Sequence, residues 1–383
     1  IFRSPLWVIL FMFGLGLGGS VHASHLAGGQ VTFEQLTSNT YRVNLSIYRD
    51  CSGIPLNASQ TILVTPGNSG TNFSLPRVSV TDITPLCPNE FSSCSGGSIP
   101  GFEEHIYTSV VTLNALPQGQ VYTLSWESCC RNPTITTLVN PASVGFYLAT
   151  TLDPNISNSS PVFLNSAYAT LCAGQPAVIS PSGSDPDGDA LVYSITSCLE
   201  GLNQPVPYAG GFSGPSPLTT STGFNLNSAT GELSFTPTSA GQVGVICLLA
   251  EEFRNGVKIG EIRRDIQVRV QACNNQSPVI ASVQNQIVSV GQQFCVTVNA
   301  TDADLDNITL TAVSSVGTFT PLTATPGSAT GEFCFTPSLS DAGNTYTITI
   351  NAEDDACPLP GAGLTSFNIT VPVPCNGQAV AQG

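Results

Sequence analysis

The stretch Ser228-Ala229-Thr230-Gly231-Glu232-Leu233-Ser234-Phe235-Thr236-Pro237 returns as Ser328-Ala329-Thr330-Gly331-Glu332-Phe333-Cys334-Phe335-Thr336-Pro337. The copies differ at Leu233 against Phe333 and at Ser234 against Cys334, and all four side chains suit a strand. Near-copies one domain length apart mark a tandem array, and an internal repeat decides the architecture before any single residue does. Outward from it, each copy is preceded by an acidic cluster, Asp185-Pro186-Asp187-Gly188-Asp189 or Asp302-Ala303-Asp304-Leu305-Asp306. Before each cluster lies a polar linker ending in proline, Asn158-Ser159-Ser160-Pro161 or Asn274-Asn275-Gln276-Ser277-Pro278. After each copy a strand-like run ends in Ala250-Glu251-Glu252 or Ala352-Glu353-Asp354. The interval from Asp185 to Gly231 is longer than that from Asp302 to Gly331. The surplus falls in the Gly/Pro/Ser-rich stretch Gly201 to Thr222, whose turn chemistry predicts a long surface loop.

Between these marks the period is two. Ile266, Val268 and Val270 alternate with Gln267, Arg269 and Gln271, as in a half-buried strand, and Thr345 to Ile350 and Phe367 to Val371 behave alike. No window offers an amphipathic helix. Short strands separated by Gly, Asn and Pro turns predict an all-β chain of tandem β-sandwich domains. The expected divisions are an N-terminal sandwich over 24–157, repeat units over 158–273 and 274–376, and a polar tail over 377–383. Residues 1–23 read as a secretory signal: Arg3, an apolar run from Leu6 to Leu17, and the cleavage pattern Val21-His22-Ala23.

Charged residues make up only 9% of the 383, against roughly 25% in ordinary globular proteins. The surface must therefore be Ser, Thr, Asn, Gln and Gly, as in extracellular β-proteins. The net charge is −15, with 10 Lys+Arg against 25 Asp+Glu. Nucleic acid and anionic membrane surfaces, which need clustered cations, are excluded as expected partners. Export lets the 13 cysteines pair. The spacing gives no Cys-x-x-Cys zinc pattern. The expected bonds are Cys295–Cys334, Cys357–Cys375, Cys172–Cys198 and Cys247–Cys273, with the odd thiol sought at Cys129-Cys130.

The acidic clusters carry the sharpest chemistry. Asp185, Asp187 and Asp189, and likewise Asp302, Asp304 and Asp306, place hard oxygen ligands at a density that suits calcium. Glu251 and Asp354 are the expected companions at the ends of the later strands. The alternative is a plain Asp-rich turn in which Asp caps its own backbone. Glu103-Glu104-His105 is the one local acid/base group, read by default as a solvated loop. Cys130 beside Arg131 is the one candidate reactive thiol. No nucleophile elbow or phosphate loop is present, so the expectation is not an enzyme.

Ser24-His25-Leu26-Ala27-Gly28-Gly29-Gln30 and Tyr48-Arg49-Asp50-Cys51 resemble the opening module of large secreted Bacteroidetes surface proteins. These are described as gliding-motility-associated or PKD/cadherin-like repeat proteins. Cys129-Cys130-Arg131-Asn132-Pro133 and Val144-Gly145-Phe146-Tyr147 fit the same module, and Asp185 to Ser194 with Glu251 to Gly256 and Ile259 to Ile266 fit its following unit. The last unit resembles the general Ig/cadherin-like repeat. The resemblance implies Ig/cadherin-like sandwiches, export by Sec and then a type IX system, and an adhesive or filament-forming role with other surface proteins or glycans as partners. The family usually ends in a sorting domain. This chain reaches Gly383 in a polar tail without one, so an N-terminal part of a longer protein and a small periplasmic or secreted protein both stand open. A hydrolase with accessory β-modules and a carbohydrate-binding array stand as alternatives.

Overall fold

The computed structural model describes residues 25–66, 72–357 and 359–374. The signal expected over 1–23, Cys375 and the polar tail 377–383 lie outside the described residues. The rest is almost wholly strand, and no described helix is long and apolar enough to cross a membrane.

The first unit contributes β1 (Leu26–Thr37), β2 (Thr40–Asp50), β3 (Ser59–Thr65), β4 (Phe73–Asp82), β5 (Phe102–Thr112), β6 (Tyr122–Cys129) and β7 (Gly145–Leu152). Ser38-Asn39 turns β1 into β2, with Thr37 opposite Thr40. Alternation then sends Val31, Phe33, Tyr41, Val43 and Leu45 into a core shared with Trp126 and Phe146. The second unit supplies β8 (Tyr168–Cys172), β9 (Ala190–Thr196), β10 (Val243–Arg254) and β11 (Val257–Gln271). Asn255 and Gly256 both take positive φ, 53° and 78°, which is the two-residue hairpin turn that joins β10 to β11.

These units share one 11-stranded sheet that runs across Asn158. The strands of the first unit run β1-β2-β5-β4-β3-β6-β7, and β11 of the second unit closes the ring between β7 and β1. Ile266 and Asp265 lie opposite Gly28 and Gly29, and Ile262 opposite Thr150. Gly28 is what lets the strand in, since a Cβ there would stand 2.3 Å from Ala167 O and 2.8 Å from Asp265 O.

The third unit is a separate sandwich of two four-stranded sheets. Its main strands are β12 (Phe294–Thr301), β13 (Ile308–Val313), β14 (Thr318–Thr325), β15 (Ser328–Phe335), β16 (Thr345–Asp354) and β17 (Ala362–Thr370). One sheet orders Val279–Ile280, β12, β15 and β14; the other orders Gln286–Ile287, β17, β16 and β13. Between them Phe333 meets Phe367 edge to face at 6.1 Å, with Val298, Ile308, Ile348 and Ile369 around them.

The repeat itself holds a correction. Ser328 to Phe335 is strand throughout, whereas in the first copy only Leu233–Phe235 is strand and Ser228-Ala229-Thr230 is a turn, with Gly231 at φ 74°. The neighbours decide. β15 is paired on both sides along its length by β12 and β14, down to Ser328 opposite Thr301. Leu233–Phe235 has only the short strands Ala177–Ile179 and Asn225–Leu226 to join. The stretch Gly201 to Thr222 also departs from a free surface loop. Val206, Pro217 and Leu218 are buried, and Val206 sits with Ile135, Leu138 and Val144 of the first unit.

The disulfides correct most of the expected pairing. Cys172 bonds Cys273, and Cys198 bonds Cys247, instead of Cys172–Cys198 and Cys247–Cys273. Sequence proximity was the wrong guide. β8 runs parallel to β11 with Cys172 opposite Gln271, so Cys273 arrives beside it, and Thr196 opposite Cys247 brings Cys198 to the same place. Cys357 bonds Cys87 of the first unit rather than Cys375. Cys295–Cys334 and Cys51–Cys94 are also bonded, and Cys129 and Cys130 bond each other, so the odd thiol does not lie in that pair.

Candidate functional site

Both acidic clusters are built to one plan. In the second unit the Asp187 and Asp189 amides donate to Asp185 Oδ1 at 2.9 and 3.0 Å. In the third, the Asp304 and Asp306 amides donate to Asp302 Oδ1 at 2.9 and 3.2 Å. The middle carboxylate reaches the preceding linker: Asp187 Oδ2 accepts from the Ser159 amide at 2.5 Å, and Asp304 Oδ2 from the Gln276 amide at 2.6 Å. The linker asparagine answers in turn. Asn158 Nδ2 donates to Glu252 Oε1 at 3.1 Å, and Asn275 Nδ2 to Asp354 Oδ2 at 2.7 Å.

The equivalent of Asp354 is thus Glu252, and Glu251 does not belong to the site. Glu251 points out and pairs with Lys258 at 2.5 Å. Glu252 is fully buried and comes within 4.8 Å of Asp185 and Asp189. Gly260 makes the room, because a Cβ there would stand 2.0 Å from Glu252 Oε2. In the third unit Asp302, Asp304 and Asp306 gather, but Asp354 stays apart, with Oδ1 on the amides of Ala356 and Gly361.

The turn accounts for half of each first aspartate and leaves the other half. Asp185 Oδ2, Glu252 Oε2 and Asp302 Oδ2 are buried and find no donor among their neighbours, and only a proton held between them joins the Asp185 and Glu252 carboxyls. Burial, then the neighbouring carboxylate charge, pushes the Glu252 carboxyl upward, and burial does the same to Asp185. Asp189 is matched instead by Arg254, at 2.7 and 2.5 Å. At the second unit Asp185 and Glu252 supply the oxygens that fit a hard cation, and Asp189, the third carboxylate of the group, could join them while it carries Arg254.

The other residues singled out from sequence form structural networks. Glu103-Glu104-His105 is in β5, not in a solvated loop. Glu103 Oε1 accepts from Arg49 Nε at 2.8 Å and lies 2.5 Å from His105 Nε2, and His105 is buried. Glu104 faces the other way and accepts from the Tyr48 hydroxyl at 2.6 Å. No nucleophile joins the group among the described residues. Arg131, beside the bonded Cys130, is fully buried. It makes paired hydrogen bonds to Asp265 of β11 at 2.6 and 3.1 Å, and its guanidinium lies 4.3 Å from the Phe146 ring centroid. That pair was not singled out from sequence, because Asp265 lies 134 residues beyond Arg131, past the first linker and most of the second unit.

No protein-family model matches the chain, and no curated protein matches it. Among solved structures it is similar to Drosophila N-cadherin EC1-4, at 12% identity over 91% of this chain and 92% of that one, with a TM-score of 0.22. It is also similar to titin Ig tandem domains A164-A165, at 11% identity over 55% of this chain and 97% of that one, TM-score 0.18. A third is the sialic acid binding region of a Streptococcus sanguinis SK1 adhesin, at 9% identity over 56% and 78%, TM-score 0.21. The all-β, tandem-sandwich architecture rests on the strands and cores described above.

Proposed function

We propose that the chain is a non-enzymatic extracellular protein with a structural or adhesive role, a rigid spacer that presents binding surfaces to other surface proteins or glycans. The observation that carries this reading is the seating of β11 inside the ring of the first unit. With the Cys87–Cys357 bond it ties the three units together, which suits a load-bearing display element. The disulfides favour an oxidising compartment. In line with the Bacteroidetes resemblance, export would run through Sec and a type IX system to the cell surface. The test is attachment of beads coated with the mature chain to surfaces of neighbouring cells. Attachment that a soluble excess of the chain competes away supports the reading. Hydrolysis of polysaccharide or peptide by the purified chain, without attachment, overturns it.

Calcium belongs to the same proposal. Asp185, Asp189 and Glu252 would hold it at the joint between the first two units, and Asp302, Asp304 and Asp306 at the joint before the third. The ion would neutralise buried carboxylates that now face one another and would stiffen both linkers through Asn158, Ser159 and Gln276. Millimolar calcium should raise the melting temperature above that in chelator, and Glu252→Gln should remove much of the gain. A melt indifferent to both excludes the ion.

A further inference from the structure

We infer that the cleft where the three units meet is a binding site for a neutral oligosaccharide. The inference rests on the adhesive reading and names where it acts. A cavity of about 560 Å³ lies between the second and third units, and a second of about 390 Å³ continues it past Pro85, Thr170, Glu353 and Ala362, which line both. These volumes fall in the range of roughly 300–1,000 Å³ typical of ligand pockets.

One wall is a sheet face of the third unit. Thr309 and Thr311 of β13 stand opposite Glu353 and Asn351 of β16, which in turn stand opposite Ala362 and Leu364 of β17. Residues directly opposite share a face, so this wall sets hydroxyl, amide and apolar groups in one row and hydroxyl, carboxylate and apolar groups in the next. The other wall belongs to the second unit and sets Tyr168 and Leu171 beside Asn165 and Thr170, and Ile83 of the first unit joins it. Asn275 Oδ1, buried and without a donor, lies in the continuation of the cleft.

The composition selects the ligand. A sugar has apolar ring faces and a hydroxyl rim, and this lining supplies both apolar surface and neutral hydrogen-bonding groups. A wholly apolar ligand would strip water from the threonines and asparagines without replacing it. An anionic one would meet Glu353 in a chain of net charge −15, with no lysine in the lining. Phosphate-like or acidic sugars are therefore the wrong chemistry.

The walls are also fixed before any ligand arrives. Ser182 Oγ donates to Thr349 Oγ1 at 2.6 Å and Ser366 Oγ to Ser180 Oγ at 3.0 Å, all buried between the two units. Gln175 holds the linker from both ends, donating to Asn275 O at 2.7 Å and accepting from the Ser277 amide at 3.0 Å. A site that needs no ordering keeps more of its contact energy as affinity.

The test is calorimetric titration of the whole mature chain with neutral fragments of glucan, xylan, mannan and galactan, beside sialylated and sulfated oligosaccharides. At least one neutral class should bind. Asn351→Ala should weaken it roughly tenfold, as loss of a ligand hydrogen bond predicts. Thr311→Arg, which fills the cleft from an exposed position, should abolish binding, and Thr320→Arg on β14 should not change it. Equal melting temperatures for the four proteins establish that all are folded. Binding that survives Thr311→Arg overturns the site, and preference for acidic sugars or for peptide overturns the ligand class. If no sugar binds while coated beads still attach, the cleft assignment falls and the adhesive reading stands. If attachment fails as well, both fall.

Discussion

Leu305 and Gly188 occupy the same place in the two acidic turns, and both are left-handed, at φ 67° and 81°. The turn demands this conformation, because the amides on either side of it, Asp304 and Asp306 or Asp187 and Asp189, must both fold back onto Asp302 or Asp185. Glycine meets the demand without cost, whereas a leucine there carries about 1–2 kcal/mol of backbone strain. Leu305 is largely exposed and contributes little burial in return. Leu305→Gly should therefore stabilise the protein by about 0.5–1 kcal/mol after the entropy of glycine in the unfolded chain is counted. Urea denaturation reads this directly, and a loss of stability would show that the leucine is held by more than the turn. Glu103 and His105 make a second prediction at this scale. Burial opposes ionisation of Glu103, but its hydrogen bonds to Arg49 and His105 outweigh that and hold its carboxyl below 4.5. Burial holds His105 below 6.5 despite Glu103. Both groups bind protons more readily in the unfolded chain, so both withdraw stability as pH falls, His105 from 6.5 downward and Glu103 from 4.5. Glu103→Gln should cost about 2 kcal/mol at neutral pH and flatten the acid limb of a melting-temperature profile. An unchanged limb would remove Glu103 from the acid response.

Among the elements, the parity of a strand was legible and its neighbours were not. Alternation places Ala250 and Glu252 on one face and Glu251 on the other, so the buried carboxylate could have been named from sequence by counting inward from Ala250. The Ser-Ala-Thr-Gly-Glu segment shows the opposite case. Identical residues are turn in one unit and strand in the other, because pairing partners decide the matter. The disulfides were hidden for the same reason: the parallel run of β8 beside β11 sets Cys172 against Cys273, and periodicity does not report parallel registers. The insertion of β11 is the largest consequence of this kind. Without it β1 and β7 would be left with free edges, and Arg131 would be buried without Asp265. Breaking a buried ion pair typically costs 3–5 kcal/mol, before the apolar seam is counted. A fragment of residues 24–157 should therefore fail to unfold cooperatively, whereas 24–273 should give a sharp melt. A sharp calorimetric transition for the shorter fragment would mean that the first unit closes without β11.

Across the whole molecule the sequence predicts an N-terminal sandwich followed by two repeat units, and the structure couples the three units unequally. The first two share a sheet, and the third is held by polar contacts at the second unit and by Cys87–Cys357. On chain entropy alone a loop of that length would be worth about 5 kcal/mol. Most of that loop is already closed, however, since β11 fixes the first unit to the second and Cys172–Cys273 pins the start of the linker. What the bond still restrains is the docking of the third unit, through hydrogen bonds such as that from the Ser366 amide to Glu232 Oε2 at 2.6 Å. The double variant Cys87→Ser/Cys357→Ser should therefore leave the main melting transition nearly in place. It should instead speed hydrogen exchange at Ser366 and Asn368 and open the linker over 274–277 to protease. It should also widen the cleft and weaken any ligand that touches both walls, although neither cysteine need contact it. A large fall in the main transition with no change in linker cleavage would locate the role of the bond in the folding of the first unit rather than in the seating of the third.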